Sequence, residues 1–99
     1  MRVNLHQTRI IRQAVIELAG ERAKVSLFGS RTDDNARGGD IDLLVEVPNA
    51  VEDPGWLSAK ISSRISLKLG GQKIDVVLSA PNIEHSSIHQ VAKKAAIPL

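Results

Sequence analysis

The sequence predicts an α/β protein, a small mixed sheet of three strands or slightly more packed with helices, in the order α, β, turn, β, α, β, α. Three observations carry this reading. Apolar residues recur at helical spacing in two stretches, near residues 5–18 and 57–69, whereas 23–28, 40–47 and 73–79 are short apolar runs bounded by turn residues. The linkers between the runs also differ in kind. About ten residues rich in Asp, Asn, Arg and Gly join the first two runs, too few for a crossover, so those strands are expected antiparallel. A whole helix joins the second run to the third, as a crossover between parallel strands requires.

Along the chain, Asn4 and Gln7 have the spacing of a capping box, and Leu5, Ile10, Ile11, Ala14, Val15 and Leu18 continue a helix until Gly20. Residues 23–28, AKVSLF, form the first strand, 31–39 a loop, and 40–47 the second strand. Asp53 is a natural N-cap with Pro54 at the first helical position, Leu57, Ile61, Ile65 and Leu69 share one face, and Gly70 and Gly71 end that helix. KIDVVLS, 73–79, is the third strand. Ala80, Pro81 and Asn82 then turn the chain, with Asn82 as cap of a last helix reaching about Ala96.

Ninety-nine residues, 42% hydrophobic and 24% charged, suit one small folded domain spanning 1–99. A net charge of +2 is too slight for a dedicated nucleic-acid binder. The absence of cysteine excludes disulfides, thiolate metal sites and a cysteine nucleophile. No apolar run approaches the roughly 20 residues that span a bilayer, and the first residues lack a signal-peptide core, so the expectation is cytoplasmic with no membrane contact.

Chemistry enters with the charges. Strand side chains alternate, so Ile41, Leu43, Val45 and Val47 share one face and Asp40, Asp42, Leu44 and Glu46 the other. In the third strand Lys73, Asp75, Val77 and Ser79 share a face. With the second and third strands parallel, their starts lie at one end of the sheet and Asp42 and Asp75 become neighbours. Two carboxylates about 5 Å apart repel by roughly 3 kcal/mol at an effective dielectric near 20. A divalent cation is the simplest compensation, and Mg²⁺ favours one or two carboxylates together with substrate phosphates. Gly29 and Ser30, directly after the first strand, suit phosphate oxygens, because glycine allows close backbone approach and the serine hydroxyl can donate. Asp-x-Asp also occurs in metal-dependent glycosyltransferases, but their catalytic domains are far longer than this chain.

"LFGSR", "GGDIDLLVE" and "KIDVVL" together resemble the signature of the DNA polymerase beta-type nucleotidyltransferase superfamily, and in particular its shortest branch, the minimal nucleotidyltransferases. The resemblance covers essentially the whole chain. It implies the DNA polymerase beta-like fold and transfer of a nucleoside monophosphate, with AMP favoured, from a nucleoside triphosphate such as ATP to a hydroxyl, releasing pyrophosphate. It further implies that Gly29 and Ser30 bind the triphosphate, that Asp40, Asp42 and Asp75 hold two Mg²⁺ ions, and that Asp75 helps to deprotonate the acceptor. Arg31 either touches phosphate or anchors its loop. Members of this branch often act as antitoxins of HEPN-type toxins, so the resemblance implies a helical partner subunit and a hetero-oligomer, with a homodimer as the alternative. The chain has no tyrosine, so a tyrosine acceptor would belong to another molecule. A non-catalytic antitoxin that works by binding alone is the competing reading.

Other residues have plainer readings. Asp33 and Asp34 depart from the commoner loop of the family and read as a solvated turn shaped by Arg37 and the two glycines beyond it. Lys73 reads as a solvated strand-end lysine, with phosphate contact or compensation of the acidic cluster as alternatives. Lys60, Arg64 and Lys68 form an i, i+4 stripe that suits either solvent or an anionic partner. His85 and His89 share i, i+4 spacing but lack the metalloprotease order. Arg2, Arg9 and Arg12 read as surface charges, and Trp56 as a packing residue.

Overall fold

The computed structural model describes residues 3–28, 40–83, 89 and 96–99. Its elements are α1 (Leu5–Ala19), β1 (Lys24–Phe28), β2 (Ile41–Glu46), α2 (Pro54–Lys68), β3 (Ile74–Ser79) and β4 (Ile97–Pro98). The last helix expected from Asn82 falls largely outside the described residues, as does the loop at 31–39.

Both helices begin and end on the chemistry anticipated for them. The Asn4 side chain accepts from the Gln7 N–H at 2.8 Å, and the Gln7 side chain accepts from the Asn4 N–H at 2.9 Å, completing the capping box. Asp53 accepts from the Trp56 N–H at 3.1 Å, with Pro54 opening α2. At the far end Gly70 and Gly71 take φ of +72° and +91°, and the Gly71 N–H reaches back to the Ser66 carbonyl at 2.8 Å. Only glycine enters this left-handed region cheaply, which is why the helix stops there.

The sheet order is β3-β2-β1-β4. β1 and β2 are antiparallel with Phe28 opposite Asp42, and β2 and β3 are parallel with Ile41 opposite Ile74 and Asp42 opposite Asp75. Linker length therefore predicted both orientations. β4 adds a fourth strand, antiparallel to β1 through Ser26 and Leu27, that the sequence reading did not place. Two residues are too few to show an alternating pattern.

α1 and α2 cover one face of the sheet. Ile11 and Val15 from α1, Ile61 and Ile65 from α2, and Leu27, Ile41, Leu43 and Val45 from the strands form the main core. On the opposite face Phe28 and Leu44 are also buried, with Val77 and Ala96 against them. β1 thus has side chains buried in both directions, which explains its weak alternation in sequence.

Two apolar expectations are corrected. Leu5 is exposed, about 120° around α1 from Ile11, off the buried stripe. Trp56 was expected to pack, but it is 63% exposed, with the Lys60 Nζ 6.0 Å from its ring centroid. At about 100° per residue Trp56 lies roughly 160° from the middle of the Leu57–Ile61–Ile65–Leu69 stripe, so the helix turns it outward.

The ends of β2 and β3 are tied together. The Val47 N–H donates to the Ser79 carbonyl at 2.9 Å, and the Asn82 amide makes two bonds to Val51, accepting from its N–H at 2.9 Å and donating to its carbonyl at 2.7 Å. Among the described residues no helix is long and apolar enough to cross a membrane.

Candidate active site

Asp42 and Asp75 owe their closeness to the parallel register. They are direct partners on β2 and β3, and adjacent strands lie about 4.8 Å apart. Their side chains share a face because each lies one residue past a core isoleucine, Ile41 or Ile74. One step earlier the Ile41 N–H donates to the Lys73 carbonyl at 3.0 Å, which brings Asp40 and Lys73 alongside each other. The Lys73 Nζ is 3.5 Å from the Asp40 Oδ2. The rim therefore carries a quadrilateral, Asp40 and Lys73 on one side and Asp42 and Asp75 on the other, with three anions and one cation.

The electrostatics follow from that layout. The Asp42 carboxyl is pushed above the ordinary aspartate range, first by burial, then by the negative charges of Asp75 and Asp40 and a hydrogen-bonding contact with Asp75; Lys73 offsets this in part. Phe28 and Leu44 lie beside Asp42 and supply the apolar surroundings that make its charge costly. Strand parity already placed Leu44 on the face of Asp42, but the burial of Phe28 opposite Asp42 depended on the pairing of β1 with β2.

Gly29, Ser30 and Arg31 lie outside the described residues, and so do Asp33, Asp34, Arg37, His85 and Arg2. Phe28, the residue preceding Gly29, is the register partner of Asp42. Among the described residues, no group of three or more His, Cys, Asp or Glu side chains is arranged to hold a metal ion. Asp42 faces Asp75, whereas Asp40 engages Lys73. The donor chemistry nonetheless fits magnesium. These are hard oxygens, Asp42 is disfavoured as an anion beside Asp75 and Asp40, and Mg²⁺ needs only one or two carboxylates when phosphates complete its shell.

The remaining candidates sort by their contacts. Arg64 of the basic stripe binds Glu17 of α1, NH1 to Oε2 at 3.1 Å, and Gln13 donates to the other Glu17 oxygen at 2.9 Å. That hydrogen bond from Gln13, followed by the charges of Lys68 and Arg64, lowers the pKa of Glu17 despite some opposing desolvation. Arg64 thus serves the contact between the two helices, whereas Lys60 lies over the Trp56 ring. His89 is buried, with its Nε2 3.0 Å from the Leu78 carbonyl, so this nitrogen acts as a donor that anchors the ring to β3. Arg9 and Arg12 are exposed. A cleft lined by Arg12, Val15, Lys24, Glu46 and Leu99 lies at the other end of β1, remote from the acidic rim.

A mixed sheet backed by two helices, with paired carboxylates at the starts of parallel strands, has the architecture of a polymerase beta-like transferase. A family model described as nucleotidyltransferase domain matches residues 8–97, and the chain belongs to that family. No curated protein matches the chain significantly.

Proposed function

We propose that this protein is a Mg²⁺-dependent nucleotidyltransferase that moves a nucleoside monophosphate, AMP by preference, from a nucleoside triphosphate to a hydroxyl on a partner protein. The observation that carries the reading is the Asp42–Asp75 pair, two carboxylates brought together across a parallel register in a nucleotidyltransferase domain.

Asp40, Asp42 and Asp75 would hold the metal, and Gly29, Ser30 and Arg31 the triphosphate. Bound magnesium would lower the pKa of the acceptor hydroxyl and neutralise charge gathering on the leaving pyrophosphate. Asp75, exposed on edge strand β3, accepts the proton of the incoming hydroxyl. Phe28 and Leu44, buried beside Asp42, give the inner side of the site an apolar wall. The acceptor oxygen attacks the α-phosphorus, the bond from that phosphorus to the bridging oxygen breaks, and pyrophosphate departs. The partner fitting this chemistry is a helical subunit such as a HEPN-type toxin, with this protein as its antitoxin in a cytoplasmic hetero-oligomer.

Incubation with each labelled nucleoside triphosphate, Mg²⁺ and a lysate of the native host, followed by mass analysis of labelled products, tests the reading. Label should transfer to a protein and fall by at least about a hundredfold in Asp42→Asn. Equal labelling by the variant would refute it.

A second reading, in which the fold neutralises its partner by binding alone, draws on the exposed side chains of Trp56 and Leu67, which lie on one side of α2. It requires Asp42→Asn to neutralise the partner as well as the natural protein does.

A further inference from the structure

Lys73 completes the rim quadrilateral, in register with Asp40 just as Asp75 is with Asp42, and its ammonium is 3.5 Å from the Asp40 carboxylate. The Lys73 side chain is 68% exposed and that of Asp40 45%, so packing leaves the lysine ammonium room to move. An exposed pair of this kind contributes little to stability and exchanges partners readily. Asp42 and Asp75 face each other, and among the described residues no cation is as close to them as Lys73 is to Asp40.

We propose that Lys73 is a positioning residue that stands in for the metal: it holds Asp40 while the site is empty, and moves to a triphosphate oxygen when a divalent cation engages Asp40. This rests on the nucleotidyltransferase reading and adds an order to it. Metal competes with Lys73 for Asp40, and nucleotide relieves the competition by giving the ammonium a new anion. Metal and nucleotide therefore bind with positive coupling, and Lys73 is its source. No bond is made or broken in the exchange, and the lysine stays protonated throughout.

The test uses Mn²⁺ as the probe on the full chain, with affinity read by calorimetry or electron paramagnetic resonance, with and without a non-hydrolysable nucleoside triphosphate analogue. In Lys73→Met, Mn²⁺ alone should bind about threefold to tenfold more tightly, the scale on which an exposed unit charge a few ångströms away acts on a dication. Affinity for the analogue in the presence of Mn²⁺ should fall by about tenfold, and Lys73→Arg should restore both values. A solvated lysine with no such role predicts three indistinguishable proteins, and that result overturns the inference. So does weaker Mn²⁺ binding by Lys73→Met. Asp42→Asn separates this failure from that of the function itself. If it binds Mn²⁺ as tightly as the natural protein, the metal site is misassigned and both readings fall. If it loses Mn²⁺ while Lys73→Met behaves as the natural protein does, only the role of Lys73 is lost.

Discussion

Asp42 concentrates the energetic conflict of the site in one carboxyl. Its proton is held more tightly in the folded chain than in the unfolded one, because burial and the charges of Asp75 and Asp40 disfavour the anion. For a raised folded pKa the sign is fixed. Stability is fully retained below the unfolded value, near 3.8, and is lost as pH rises through the folded value. Asp42→Asn, neutral at every pH, should therefore melt higher than the natural protein at pH 7 in a chelating, metal-free buffer. The difference should shrink as pH falls through the raised folded value and vanish below about 4, and thermal melts across that range check it. A melting difference independent of pH would remove charge repulsion as the cause. The same residue would then be harmful to stability and required for activity, the usual trade at a working site.

At the level of elements, both helices rest on short-range devices written into the sequence. Asp53→Ala removes the acceptor of the Trp56 N–H and should cost about 1 kcal/mol. Gly70→Ala forces a Cβ into a backbone at φ +72° and should cost about the same. Urea denaturation of each variant measures both losses, and the double variant should show their near-sum only if the two ends of α2 act independently. These caps were legible because each involves residues only a few positions apart. The outward turn of Trp56 was equally legible, since its helical phase opposes the Leu57–Ile61–Ile65 stripe, even though aromatic side chains as a class favour the core. β4 was not legible, because Ile97 and Pro98 are recognisable as a strand only through their pairing with Leu27 and Ser26, some seventy residues earlier.

For the molecule as a whole, linker length sets strand direction. It gave the antiparallel β1–β2 pair, the parallel β2–β3 pair and hence the meeting of Asp42 with Asp75. The ion pair of Asp40 with Lys73 was beyond reach, because parity shows which face a lysine occupies but not which of three carboxylates it selects. So small a protein also concentrates its stability in few contacts. Ile65 is fully buried between α2 and the sheet, and Ile65→Ala should cost about 2–5 kcal/mol. That is a large share of the about 5–15 kcal/mol typical of a whole domain, so the urea midpoint should drop steeply or the variant should be unfolded at 37 °C.

The Asn82 amide, clasping both backbone groups of Val51, has a practical consequence. It braces the end of the sheet remote from the carboxylates, and the exposed residues Pro48, Asn49 and Ala50 lie between that brace and β2. A fluorophore, an affinity handle or a surface tether belongs in that short segment, where a label can report on the whole molecule without disturbing its chemistry.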